Sequence, residues 1–302
     1  MLGSDLENRP PDVDYHKGTR ALEFHFLDQM PPSTLYENSD FEIWLELMNN
    51  GASDIRDGYI TFSGFQSKYV GLEKTEHQFD LDGKSLYSPN GEKTYLELSG
   101  ETHEVHDSLD AIEVPLTVNA CYRYFTYFSG DLCLSSGKPQ AVSRPSCTNE
   151  NLVTVSGGQG GPLAVQGIDV ETIPSRTMIT YVFTIAIRNS GSGDVRHPQA
   201  YQKDCVGPAL SSDEVDVFTM QATIGNDQTL ECTQDGNELD DEGIYKLPSA
   251  FTESEDAKSH DIICRYRTES DFQSYKTKLN LRLEYGYVQS DTHTMTIKQY
   301  DA

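Results

Sequence analysis

Across 302 residues the chain carries 48 acidic and 23 basic side chains, a formal net charge of -25. That surplus excludes sequence-independent binding to nucleic-acid phosphates and to an anionic membrane surface, which would both repel it, and it suits a saline or cation-rich medium that screens self-repulsion. The length accommodates two domains of about 150 residues, each able to bury its own core, and no run of apolar residues is long enough to span a membrane as a helix.

Residues 1–20 include Pro10 and Pro11 and show almost no apolar periodicity, so they read as an extended arm. The N-terminus lacks the apolar stretch of an export signal, and the expectation is a soluble protein or an ectodomain separated from its anchor. The first predicted strand covers residues 21–27, with Leu22, Phe24 and Phe26 on one face, and Pro31-Pro32 end it. A second strand over 41–48 places Ile43, Leu45 and Leu47 on a buried face, then breaks into the turn Asn49-Asn50-Gly51 before Asp54-Ile55-Arg56. Short strands follow around Tyr59, Phe79 and Tyr95, separated by turn signals at Gly64 and Pro89-Asn90-Gly91. A closing hairpin is expected from Leu116 to Leu134, with its turn within residues 126–130.

The same order returns after a small-residue stretch over 156–162. Residues 183–196 repeat 43–56 at an offset of 140 without a gap: Phe183, Ile185 and Ile187 alternate, Asn189-Ser190-Gly191 turn, and Asp194-Val195-Arg196 follow. Near the C-terminus, Leu279, Leu281, Leu283, Tyr285 and Tyr287 match Leu116, Val118, Ala120, Tyr122 and Tyr124 at an offset of 163. The growth in offset places a net insertion of 23 residues in the second copy, and the acidic segment 235–243 falls within that interval. Tandem duplication of one β module accounts for both matches. The expected fold is all-β, two tandem immunoglobulin-like β-sandwich domains: an arm over 1–20, a module over 21–155, a Gly-rich linker over 156–162, and a second module with an acidic loop over 163–302.

The succession of strand, Asn/Gly turn, Gly91-Glu92 before an alternating strand, and closing hairpin resembles the immunoglobulin-like CARDB-type modules of archaeal and bacterial surface proteins, over about residues 21–300. The resemblance implies a surface or extracellular role and no catalytic residues.

Six cysteines, Cys121, Cys133, Cys147, Cys205, Cys232 and Cys264, show no Cys-x-x-Cys pair and no neighbouring His ladder, so disulfides in an oxidising space are expected in place of zinc. A two-residue turn at Ser129-Gly130 would set Cys133 beside Thr126, too far from Cys121 to bridge. A three-residue turn over 126–128 would set the two opposite each other, and this register is favoured. Cys232 then pairs with Cys264, and Cys147 with Cys205 remains as a strap between modules. No Asn-x-Ser/Thr acceptor exists.

Asp235, Asn237, Asp241 and Glu242 offer oxygen donors of the kind calcium takes, without an EF-hand register, since Leu239 stands where a third ligand is needed. Asp80 and Asp82 before Gly83 form a weaker second set, although acidic turns are commonly plain solvated surface. His103 and His106, three apart, would not share a strand face, which argues against a metal there. No other cofactor is indicated, and no Gly-x-Ser-x-Gly, phosphate loop or His-Glu-x-x-His occurs. Phe125, Tyr127 and Phe128 gather at the expected hairpin tip, where the second copy has Val288, Ser290 and Asp291. An aromatic tip calls for a covering surface, a partner or the other module. The functional expectation is a non-enzymatic structural protein of an extracellular assembly, cell surface or virion, that self-associates as a homo-oligomer or filament or docks on a partner. From another class, a calcium-dependent glycan-binding module would use the acidic loop and the aromatics.

Overall fold

In the computed structural model, residues 15–106, 108–135, 147, 152–154, 157–234, 237–238, 243–247, 261–270 and 274–300 are described. Alternating apolar positions, interrupted by turn residues, make nearly every element a strand. In chain order these are β1 (Leu22–Phe26), β2 (Thr34–Tyr36), β3 (Asp40–Asn49), β4 (Ile55–Ser63), β5 (Val70–Leu72), β6 (Glu76–Leu81), β7 (Lys93–Thr102), β8 (Ala111–Leu134), β9 (Leu152–Thr154) and β10 (Leu163–Pro174). There follow β11 (Met178–Asn189), β12 (Asp194–Arg196), the short helix α1 (Lys203–Val206), β13 (Val217–Ile224), β14 (Gln228–Thr229), β15 (Glu231–Gln234), β16 (Asn237–Glu238), β17 (Ile244–Lys246), β18 (Ile262–Glu269) and β19 (Tyr275–Lys298).

The expected closing hairpins do not form. Residues 111–134 and 275–298 are each one uninterrupted strand of 24 residues, and the two pair antiparallel from Tyr275 opposite Leu134 to Lys298 opposite Ala111. At about 3.3 Å per residue the ladder is about 80 Å long. It forms the spine of a nine-stranded sheet, ordered β14-β13-β19-β8-β4-β6, with β2, β12 and β17 attached at its sides. A four-stranded sheet, β1-β3-β7-β5, belongs to the first half of the chain, and a six-stranded one, β16-β15-β18-β11-β10-β9, to the second.

Strand order repeats between the halves, since β1-β3-β7-β5 corresponds to β10-β11-β18-β15. The repeat extends to single hydrogen bonds. Asn49 Nδ2 donates to Ser53 O at 2.9 Å and Asn189 Nδ2 to Gly193 O at 2.7 Å, while the Asn side-chain oxygens accept from Gly51 N and Gly191 N. In the ladder, an offset of 163 carries each cross-strand pair into another pair: Tyr127 opposite Arg282 becomes Ser290 opposite Asn119, and Arg123 opposite Gly286 maps onto itself. A local two-fold axis therefore passes between Arg123 and Gly286.

Around that axis four tyrosines, Tyr122, Tyr124, Tyr285 and Tyr287, fill the inner side of the sheet and are buried. Their hydroxyls receive backbone donors in a repeated pattern. Leu22 N donates to Tyr122 and Leu163 N to Tyr285, Ser53 N to Tyr124 at 3.0 Å and Gly193 N to Tyr287 at 2.8 Å. A buried phenol that accepts such a bond satisfies an amide which would otherwise be stranded at a strand entry. Gly51 permits the approach, since a Cβ there would fall 1.9 Å from Tyr124 Oη.

Burial raises the pKa of all four phenols, Tyr287 to about 12 and the others further. The fold thus favours the neutral form. Stability is complete below the ordinary tyrosine range near pH 10 and drains as pH climbs through the folded-state value, by on the order of 3 kcal/mol for Tyr287 alone. Urea midpoints should fall steeply between about pH 10 and about pH 12 and less steeply in Tyr287→Phe; equal slopes in the two proteins would refute this account.

The net insertion in the second half lies mostly elsewhere than the acidic segment. The offset is still 140 at Ile55 and Val195 but 160 at Tyr59 and Thr219, which face the equivalent residues Cys121 and Glu284. The extra chain between Arg196 and Val217, which includes α1, lies across the outer side of the central sheet. Gly286 makes room for it, because a Cβ there would stand 2.6 Å from Tyr201 Cβ. Cys205 of this segment is bonded to Cys121, and Tyr201 Oη donates to Asp57 O at 3.1 Å.

Candidate functional site

Even-numbered residues of β8 face the core and odd-numbered ones face outward, so the expected aromatic cluster divides. Phe128 is buried on the inner side, its ring packed where a side chain at Gly130 would stand. Phe125 and Tyr127 point outward from the middle of a strand and from no hairpin tip. Their rings stack at 6.4 Å between centroids, with 20° between planes. Two guanidiniums flank Phe125, Arg282 at 4.6 Å and Arg123 at 5.4 Å from its centroid. Arg282 Nε donates to Tyr127 Oη at 3.2 Å, and Glu284 is 3.5 Å from Arg282 and 3.6 Å from Arg123.

The result is an aromatic plate carrying two cations against one carboxylate, in a chain whose acids outnumber its bases by 48 to 23. Cation–π and carboxylate contacts fix the guanidiniums in place. Beside the plate opens a cavity of about 670 Å³, lined by Tyr127, Arg282, Gln221, Thr223 and Asn280 and, from the N-terminal segment, Lys17. The residues missed in the sequence, Arg282 and Gln221, occupy outward positions of β19 and β13. The signal that could have found Arg282 is divergence between the copies, since an offset of 163 sets it against Asn119.

The disulfide partners differ from the favoured set. Cys232 and Cys264 stand opposite each other on β15 and β18 and are bonded. Cys121 pairs with Cys205 and Cys133 with Cys147, so neither the Cys121–Cys133 bridge nor the Cys147–Cys205 strap exists. The reason is the missing hairpin: Cys121 and Cys133 lie on one strand, twelve residues apart in sequence, a separation of about 40 Å.

Of the oxygen-donor loop, Asp235, Asp241 and Glu242 lie outside the described residues, as does the side chain of Asn237, whose backbone pairs with Gln234 in β16 and β15. Asp80 and Asp82 are engaged by the chain's own donors: Asp80 Oδ1 accepts from Asp57 N at 2.8 Å, and Asp82 takes the Arg56 guanidinium, which also contacts Asp54 at 2.9 Å. Arg196 repeats this arrangement between Asp194 and Asp204. His103 and His106 follow β7, where His106 Nδ1 is 2.8 Å from Ser108 Oγ. Among the described residues, no three His, Cys, Asp or Glu side chains gather to hold a metal, and no helix is long and apolar enough to cross a membrane.

Fold and site together define an all-β protein with three disulfides. No family model and no curated protein matches the chain. Among solved structures it is similar to the secreted serine protease VesC from Vibrio cholerae, at 9% identity and a TM-score of 0.21, covering 95% of this chain and 53% of that one. The chain thus spans about half the length of that protease. It is also similar to the CupB6 tip adhesin from Pseudomonas aeruginosa (8% identity, TM-score 0.18, 94% and 99% of the two chains) and to a DUF4466 family protein from Parabacteroides merdae (9%, 0.16, 87% and 99%). Likenesses at these scores carry no argument about this chain.

Proposed function

We propose that the chain is a non-enzymatic structural subunit of an extracellular assembly, a cell surface or a virion, made of two immunoglobulin-like sandwiches fused through their common sheet. The observation that carries this reading is the unbroken pairing of β8 and β19. Two sandwiches joined by a linker would hinge, whereas a shared ladder of about 80 Å resists bending along its whole length. Stiffness of that kind suits a part that bears on its neighbours. Three disulfides suit an oxidising space outside the cell.

Contact between copies would use the sheet margins. The strands β1, β5 and β6 end their sheets in the described order, and a neighbour's arm or edge can add to such margins through backbone hydrogen bonds. The net charge opposes this at low salt. Raising salt from about 0.1 M to about 1 M shortens the screening length from about 10 Å to about 3 Å. In size-exclusion chromatography with light scattering, the full chain should gain mass over that range and with added calcium. Deletion of residues 1–20 should reduce the gain. A monomer under every condition, with and without those residues, would sink the proposal.

A further inference from the structure

The internal repeat lets one face of the central sheet serve as the control for the other. Asn119 and Ser290 are opposite each other in the ladder where, at the offset of 163, Arg282 and Tyr127 are opposite each other. In the first half this position holds short polar groups bonded to one another. Ser290 Oγ donates to Asn119 Oδ1 at 2.7 Å, and Asn119 Nδ2 donates to Ser63 Oγ at 3.2 Å. One step along, the two faces are alike: Thr117 and Thr292 share a hydrogen bond at 3.0 Å, and the equivalent Ser129 donates to Asn280 at 2.8 Å. The scaffold therefore needs only a short polar pair here, and the second half has a guanidinium and a phenol in its place.

Those two groups line the cavity of about 670 Å³. That volume falls in the range of small-ligand sites. Its charged lining residues are Lys17, Arg282 and Asp227, and Glu284 stands 3.5 Å from Arg282 beside it, so cations and carboxylates balance here within a chain that is strongly acidic overall. Its uncharged polar groups, Gln221, Thr223, Asn280 and Ser129, are amides and hydroxyls that both donate and accept. Hydroxyl groups of a ligand need both functions, whereas the side chains of an acidic peptide mainly accept. An aromatic ring is also the usual platform for the C–H face of a sugar, and a guanidinium fork matches a carboxylate.

We propose that this cavity is a binding site for an acidic saccharide, a hexuronic acid unit of a larger glycan. The sugar ring lies against Tyr127, its carboxylate pairs with Arg282 and Lys17, and its hydroxyls meet Gln221, Thr223 and Asn280. The site needs no metal and does not depend on self-association.

Isothermal titration calorimetry of the full chain, in excess EDTA, tests this with oligomers of galacturonic and of glucuronic acid, their methyl esters, oligoglutamate of equal length, and inorganic phosphate. Saturable binding of at least one uronic oligomer is expected, weakened about tenfold or more by esterification, by Arg282→Asn and by Tyr127→Ser. These substitutions install the residues found on the sister face, so each variant should keep the parent's thermal midpoint. If a variant unfolds, the ester and peptide arms on the parent protein still decide. Equal binding of esters, oligoglutamate or phosphate would overturn the proposal, as would absence of uronate binding in EDTA or its survival in the folded double variant.

Discussion

Replacing Cys121 and Cys205 together with serine is expected to cost about 4.5 kcal/mol, the largest loss from any of the three bridges. The bond closes a loop across 84 residues of sequence, whereas Cys133–Cys147 spans 14 and Cys232–Cys264 spans 32. Restriction of the unfolded chain grows with the logarithm of loop length, which gives about 3 kcal/mol for the shortest loop. The longest loop also ties the second half's inserted segment to the first half's strand, so its loss frees a native contact as well. Tyr201 on Asp57 and Arg196 on Asp204 remain to hold the segment locally. Guanidinium denaturation of the oxidised proteins should rank the paired Ser variants in the order of loop length. A loss below about 1 kcal/mol for the Cys121–Cys205 pair would show that the insertion is not held to the first half in this way.

The second large effect is expected from Tyr285→Ala, and it reaches beyond its own half. Tyr285 is wholly buried, its hydroxyl is 2.9 Å from Thr126 Oγ1, and its ring centroid is 6.1 Å from that of Tyr124. Truncating a buried aromatic costs about 3–5 kcal/mol, and here the space left lies between the halves. The single tryptophan, Trp44 on β3, reports only the first half, while far-ultraviolet circular dichroism reports the whole chain. Because one sheet runs through both halves, the two signals should change together in one transition, in the parent and in the variant alike. A variant whose Trp44 transition stays in place while the circular dichroism splits would mean that the halves unfold independently.

Alternation along the chain and the two internal matches determined the strands, the buried faces and the doubling. Ile43, Leu45 and Leu47 and their counterparts Phe183 and Ile185 are buried as the period of two requires. The tyrosines matched at offset 163 meet around one axis. Local pattern suffices for these, because the side-chain period is a property of the single strand.

The hairpin was not legible in the same way. A turn was expected over 126–128, with Ser129-Gly130 as the alternative, yet the apolar parity from Val114 through Phe128 to Leu134 never shifts, which is the mark of one continuous strand. Neither turn forms because the tertiary ladder with β19 carries the strand straight through, with Gly130 opposite Leu279. The cysteine partners followed the same decision. Pairing depends on distances in space, and these changed when a reversal of the chain became 24 residues of straight strand. The site, too, depended on packing. Phe125, Tyr127 and Phe128 are adjacent in sequence, but the pleat sends Phe128 to the core and the other two outward, where Arg282 reaches them from a strand 155 positions away. Sequence alone determined which faces of the strands are apolar; the tertiary structure decided which strands lie side by side, because cross-strand neighbours are set by register between distant segments.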